Sequence, residues 1–524
     1  VMARSIVVAP QSTQACSKRK SKGHYLLLFG IAVTFCTLSY SAWMFRDYLL
    51  DDTFIHLRYA KNYLATGSFS YNLGQPSFGT SAPLYTLLLA AIGHYIPLTS
   101  WPVMAKGMSI ALQFLSIIVF LSLVISPVKT RRAPTMPAYI VGVSIAALML
   151  AVPSTSRWLQ DGMETSLAVC CTLAAMVALR AWVAARVQQP GPMLMLMAGL
   201  IALVGVIRVD LLPISVAMLV LALLGTPRYK LQTLICTIVF LMIGYVAIFA
   251  VTGAVIPDSA IAKRTGMFTP GWAVDFFKAM LAVSPLWLGA PVLLLVSLGY
   301  RLVARPILYQ HVIPLLCGLV PMGVTIVWGT AAGQFVHGAR YFLPALIFAW
   351  AMLVCYAPDL LAFPTASRAG KVQALLLMLT VVAALIHIGM SYPALSLVRQ
   401  KDSLQIDQRK NWAAMVIAAH DIGQIGWYTN ARMLDLAGLV NGRMLAQTPY
   451  PERLCVAART MGYPDAFVLT EAQSQPWRRG NTNWFEVTCS AGNTARYIKT
   501  DAPMMKHYDL DQVREWQLWL REGH

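Results

Sequence analysis

A series of long apolar runs constrains this chain more than any other feature. The first runs from Tyr25 to Phe45 and the last from Val372 to Tyr392. At about 1.5 Å per residue, a helical run of roughly twenty residues crosses a hydrocarbon core of about 30 Å. The composition agrees, with 57% of the 524 residues hydrophobic and only 12% charged. The expected fold is an all-α polytopic membrane bundle. The first run is too long for a signal-peptide core and has no small-residue cleavage site, so it reads as a retained span.

A net charge of +19 would suggest a nucleic-acid partner in a soluble chain. Here much of the excess lies in short loops between apolar runs, as membrane topology requires, and no nucleic acid is expected. Lys18, Arg19, Lys20 and Lys22 place the tail 1–24 in the cytoplasm and the loop 46–102 outside. Within that loop, Asp51 to Ala65 reads as a helix lying along the interface, and Asn72 to Pro76 as a turn. The proline-bounded piece Pro83 to Pro97 is too short to cross. Counted as a crossing, it would put Lys129, Arg131 and Arg132 outside, so it reads as a re-entrant or interfacial helix.

Spans are then expected near Val103–Ser126, Tyr139–Pro153, Met163–Ala185, Met193–Ile207, Leu211–Gly225 and Leu231–Val251. Others follow near Trp287–Val303, Val312–Trp328, Phe342–Pro358 and Val372–Tyr392, about eleven in all with the first. With this parity the cytoplasmic loops are basic, at Arg186, Arg228 with Lys230, Arg301 with Arg305, and Arg368 with Lys371. The transmembrane domain is 25–392. Residues 393–524 are polar, with strand-like and helix-like pieces at Ala466–Leu469, Phe485–Thr488 and Leu510–Leu520, and suit an extracytoplasmic α/β or α+β domain. Most cysteines lie in apolar runs. Cys455 and Cys489 share the polar tail, where an oxidising compartment would allow a disulfide between them.

The candidate chemistry begins at Asp51 and Asp52, directly beyond the first span. A carboxylate at a membrane surface can act as a general base, and a second beside it shifts its pKa or holds an acceptor or metal. Equally, the two acids could cap a helix starting at Thr53. Arg58 follows within two helical turns, able to pair with the acids or meet a phosphate. Outward helix ends carry Arg208 with Asp210, Lys263 with Arg264, and His337 with Arg340 and Tyr341. Guanidinium groups suit phosphate, although Arg208 could instead anchor its helix at the interface. Asp161 and Glu164 read as supporting acids or as the cap of the next span. No His/Cys/Asp/Glu cluster has metal spacing. His56 beside Asp52 comes nearest, so no cofactor is assigned and a divalent metal is left open but unsupported.

Asp51-Asp52-Thr-Phe-Ile-His56-Leu-Arg58-Tyr59-Ala-Lys-Asn62, followed by Tyr71-Asn72-Leu-Gly74 and Thr80-Ser81-Ala-Pro83, resembles the first outer loop of GT-C glycosyltransferases. The pattern is most similar to the arabinofuranosyltransferase branch, which includes mycobacterial AftB and the type IV pilin enzyme. Asp161-Gly-Met-Glu164, Arg208-Val-Asp210, Pro257-Asp258, Arg340-Tyr341-Phe-Leu-Pro344, Asp421-Ile-Gly423-Gln-Ile-Gly426 and Asp435-Leu-Ala-Gly438 extend the similarity. Valine stands before Asp210, where the commoner form of the motif has proline.

The resemblance implies a GT-C-like bundle and an inverting transferase. Such an enzyme moves a sugar, D-arabinofuranose in this branch, from a polyprenyl-phosphate donor to a glycan or protein acceptor outside the cytoplasmic membrane. It would make Asp51 or Asp52 the base and Arg58, Arg208, Lys263, Arg264 and Arg340 the donor-phosphate ligands. His56, Tyr59, Glu164, Asp210, His337 and Tyr341 would support them. The alternatives are a mannosyl- or aminoarabinosyl-transferase of the same superfamily and, in another class, a lipid-linked sugar flippase or transporter.

Overall fold

Among the described residues, three helices are long and apolar enough to cross a membrane: Leu98–Leu123, Thr165–Ala184 and Pro227–Thr252. The computed structural model describes residues 31–125, 150–185, 191–262, 309–331, 338–356, 403–404 and, with short breaks, 410–523, together with isolated positions between 274 and 298. Shorter apolar helices occupy Ile31–Met44, Gly191–Ile207, Val209–Gly225, Val312–Val327 and Arg340–Leu353. The expected spans Trp287–Val303 and Val372–Tyr392, and most of Tyr139–Pro153, lie outside the described residues. A protein with several apolar helices and a sheet-containing C-terminal region is therefore established.

These helices form because their interiors are rich in leucine, alanine and methionine, which lose little rotamer freedom in a helix. Trp182 and Trp350 fill a shared core with Leu173, Ile201 and Met218. Lys230–Thr252 differs, since Leu231, Met242, Ile243 and Val246 are largely exposed along one side. It ends at Gly253 in the left-handed conformation, whose N–H bonds the Phe249 carbonyl.

The segment 46–102, expected from the sequence to be an outer loop, is described throughout. A helix over Asp51–Thr66 ends at left-handed Gly67, and a short hairpin follows, β1 (Ser70–Asn72) with β2 (Gln75–Pro76). The helix Pro83–Gly93 has proline in its first turn, where a missing N–H costs nothing. Its eleven residues span about 16 Å, half a hydrocarbon core.

In the C-terminal region a seven-stranded mixed sheet is built from β3 (Ser403–Leu404), β4 (Val416–Ala419), β5 (Arg432–Asp435), β6 (Ala466–Thr470), β7 (Trp484–Ser490), β8 (Asn493–Tyr508) and β9 (Val513–Arg521). The order is β3-β8-β9-β6-β4-β5, with β7 paired to β8. β4 runs parallel to both β5 and β6, and the other pairings are antiparallel. The helix Gly423–Thr429 links β4 to β5, while Arg443–Gln447 and Arg453–Met461 lie between β5 and β6.

Both faces of this sheet are covered, which is why β4 reads as an unbroken apolar run rather than an alternating one. Ala418, Phe467 and Trp519 belong to one core with Phe485 and Tyr497. Ile417, Ala419, Val468 and Leu518 belong to another, which includes Ile55, Tyr59, Phe69, Tyr71 and Phe78 of the outer loop. Cys455 and Cys489 form a disulfide joining the Arg453–Met461 helix to β7.

Candidate active site

The acid pair is split by the fold. Both aspartates lie in the first turn of their helix, but Leu50 is the N-cap and neither side chain caps that helix. Asp51 instead accepts hydrogen bonds from the backbone N–H groups of Gly423 (2.8 Å) and Gln424 (2.7 Å). It therefore closes the start of the Gly423–Thr429 helix, a capping role at a helix of the other domain. Glycine at 423 lets the two backbones meet, because a Cβ there would overlap the Asp51 carbonyl. Burial, reinforced by the negative charge of Asp421, pushes the Asp51 carboxyl up to about 7 against the pull of those two N–H groups.

Arg58 belongs to the same seam. Its guanidinium donates to the carbonyls of Tyr71 (2.9 Å), Gly426 (2.6 Å) and Ala431 (2.6 Å) and lies 4.5 Å from the centre of the Tyr71 ring. The Tyr71 hydroxyl donates to the Ile422 carbonyl, and the Asn72 amide pairs with both the N–H and the C=O of Met433. Asn72 thus covers part of the edge of β5 as a neighbouring strand would. Tyr59 is also internal, its hydroxyl shared between Ser77 and the N–H of Gly79. The structure therefore places Arg58 and Tyr59 in packing and docking, with Arg58 at the same helix as Asp51.

Asp52, one residue from the seam, takes a different position. Its carboxylate is one-third exposed and lies 2.7 Å from Nη2 of Arg340, which also bonds the Tyr341 hydroxyl. Nε and Nη1 of Arg340 are buried without a hydrogen-bond partner among the described residues. Arg208 is held by Asp210 through two bonds, 2.9 Å from Nε and 2.6 Å from Nη2. The Tyr341 ring lies between the two guanidinium groups, 4.6 Å from Arg208 and 5.0 Å from Arg340. Glu164, fully buried, is 3.3 Å from Arg208 Nη1 and 3.4 Å from His56 Nε2. His56 Nδ1 lies 2.8 Å from the Thr86 hydroxyl and 2.9 Å from the Thr80 hydroxyl, and Nε2 faces Glu164.

Residues 400–518 match a family model described as a domain of unknown function, DUF8728. No curated protein matches the chain. The matched segment contains the sheet and the Gly423–Thr429 helix, and so the C-terminal half of the seam.

Seven expected site residues are thus brought together: Asp52, His56, Glu164, Arg208, Asp210, Arg340 and Tyr341. Lys263, Arg264 and His337 lie outside the described residues. Asp161, read from the sequence as a supporting acid or a cap, and Lys106, not singled out there, are buried in the same surroundings. The Asp161 carbonyl accepts from the Leu50 N–H and the Thr53 hydroxyl, docking its turn onto the start of the acidic helix. Burial raises the Asp161 carboxyl to about 7, opposed by the Met163 N–H and the charge of Arg340. Lys106 donates to the carbonyls of Tyr48 and Gln160 beside it. Its sequence signal is plain, a lone cation inside an apolar run. Among the described residues no group of three or more His, Cys, Asp or Glu could hold a metal ion.

Proposed function

We propose that this protein is an inverting GT-C-type glycosyltransferase that moves a sugar from a polyprenyl-phosphate donor to a glycan or protein acceptor outside the cytoplasmic membrane. One observation carries the reading: Asp52 is half-buried and accessible, while the arginine paired with it keeps two buried nitrogens without a hydrogen-bond partner among the described residues. A base and an anion-binding group stand together there, as displacement of a phosphate by a hydroxyl requires.

In the proposed reaction the acceptor O–H bond breaks and its proton passes to Asp52. The acceptor oxygen forms a bond to the anomeric carbon from the face opposite the leaving group. The bond from that carbon to the phosphate oxygen breaks, and polyprenyl phosphate leaves with the electron pair. Arg340 meets the growing charge through its unpartnered nitrogens, with Lys263 and Arg264 as further ligands. Arg208, neutralised by Asp210 and Glu164, holds Tyr341 and Glu164 in place.

D-Arabinofuranose is the proposed sugar, from the resemblance of the outer loop to that branch. An arrangement of about eleven spans with the C-terminal domain outside is part of the same proposal. The Cys455–Cys489 disulfide supports that side, since such bonds persist in oxidising compartments. Purified protein given labelled polyprenyl-phosphoryl arabinose and candidate acceptors is expected to form product. Competition with mannose and aminoarabinose donors identifies the sugar. Movement of the lipid across vesicles without covalent product would instead favour a flippase and overturn the proposal.

A further inference from the structure

Buried polar atoms without a partner are not spread evenly through this molecule. Among the described residues sixteen buried side-chain atoms make no hydrogen bond; four of them are Gln160 Oε1, Asp161 Oδ2 and the hydroxyls of Thr165 and Ser166, whereas the Glu164 oxygens are held in ion pairs by Arg208 and His56. Two more are Arg340 Nε and Nη1. Arg208 Nη1 lies 3.3 Å from Glu164, and the charge of Arg340 acts on both Asp161 and Glu164. Six atoms of Gln160–Ser166 and Arg340 are thus left with neither a hydrogen bond nor an ion pair among the described residues. Native interiors leave few such groups, and a concentration of them marks a place for water or a polar ligand.

The chemistry of the set narrows the ligand. On one side stand carboxylate, amide and hydroxyl oxygens, which accept hydrogen bonds. On the other stand guanidinium nitrogens, which donate them. Asp52, Asp210 and Glu164 already balance Arg208 and Arg340, so the Gln160–Ser166 side is poorly suited to a second anion. A group rich in hydroxyls satisfies it, because each hydroxyl can donate to a carboxylate and accept from a neighbour. Resting on the proposed function, we infer that Gln160–Ser166 is the glycosyl subsite, which recognises the sugar hydroxyls of the donor while Arg340 takes its phosphate. Asp161 Oδ2 accepts from those hydroxyls, and Thr165 and Ser166 add bonds of either sense.

The test compares two lipids on the full-length protein in nanodiscs: polyprenyl phosphate and polyprenyl-phosphoryl arabinofuranose, each competing with labelled polyprenyl phosphate. The wild type is expected to bind the sugar-bearing lipid more tightly. Asp161→Asn keeps the oxygen that accepts from the Met163 N–H and replaces the unpartnered one, and is expected to erode that preference by about tenfold. The double variant Thr165→Val, Ser166→Ala serves as a second probe with the same expected direction. Bare polyprenyl phosphate should bind both variants as it binds wild type, with unchanged thermal unfolding. Retention of the preference in both variants means that the stretch holds ordered water only, and overturns the inference. Equal loss of both lipids also overturns it. Binding of the bare lipid with no sugar preference in the wild type removes the subsite alone, whereas binding of neither lipid removes the transferase reading together with it.

Discussion

Two polar networks lie side by side in this protein, and they are finished to different degrees. In the seam between the outer loop and the C-terminal domain, Asp51, Arg58, Tyr71 and Asn72 each find backbone partners. In the neighbouring charge cluster, Arg340 and Asp161 are as deeply buried but keep atoms without a hydrogen-bond partner among the described residues. Leaving a buried polar group unsatisfied costs about 1–3 kcal/mol, so folding alone favours the first arrangement. The difference separates a joint from a site. Asp51 belongs to the joint and Asp52 to the proposed site, although they are adjacent in the chain.

The comparison is broken most directly at Asp52. Asp52→Asn removes the proposed base and is expected to lower transfer by about 10²–10⁴-fold with the thermal unfolding of the protein unchanged. Full activity in that variant would return Asp52 to a structural role. Arg58→Ala should show the opposite profile. It leaves several carbonyls of the seam without donors and is expected to cost about 3–5 kcal/mol, read as easier proteolysis of the C-terminal domain and a lower unfolding temperature. Loss of activity in Arg58→Ala without loss of stability would move that residue into the site.

Smaller effects sharpen the same division. A Cβ at Gly426 would overlap the Tyr71 hydroxyl and Arg58 Nη1, so Gly426→Ala should cost about 1–3 kcal/mol by overpacking, measured by thermal unfolding. The smallest effect is expected at Asp51. Its carboxyl is raised in the folded protein from 3.8 to about 7. Its contribution to docking is therefore fully present below about pH 4 and falls away as the pH rises through about 7. Unfolding measured from pH 5 to pH 8 should show the seam weakening. Asp51→Asn, which cannot ionise, should flatten that dependence and retain transfer activity. A steeper slope in Asp51→Asn would show that another group titrates in the seam.

Much of this was readable in the order of residues. Apolar length places the helices at Trp101–Ile125, Thr165–Ala185 and Lys230–Thr252 close to where they were expected. The glycine at 74 and the prolines at 76 and 83 delimit the hairpin and the short helix of the outer loop. Leu510–Leu520 was ambiguous between helix and strand, since a short apolar piece fits either period. From Val513 onward its pairing with β6 and β8 makes it a strand, and residues 510–512 lie outside the described residues.

The acid pair marks the boundary of what sequence can decide. Residue types and position by themselves determined that two carboxylates stand at the end of an apolar run in a helical outer loop. Capping was a correct expectation for one of them in kind but not in place, because the helix it closes begins 372 residues later. Such a partner leaves no local trace, since hydrogen bonds depend on distance in space and not on separation along the chain. Tertiary structure alone decided that Asp51 faces the N–H groups of Gly423 and Gln424 while Asp52 faces Arg340. The physical reason is helical geometry: neighbouring residues point about 100° apart, and each meets whatever the fold has packed on its own side.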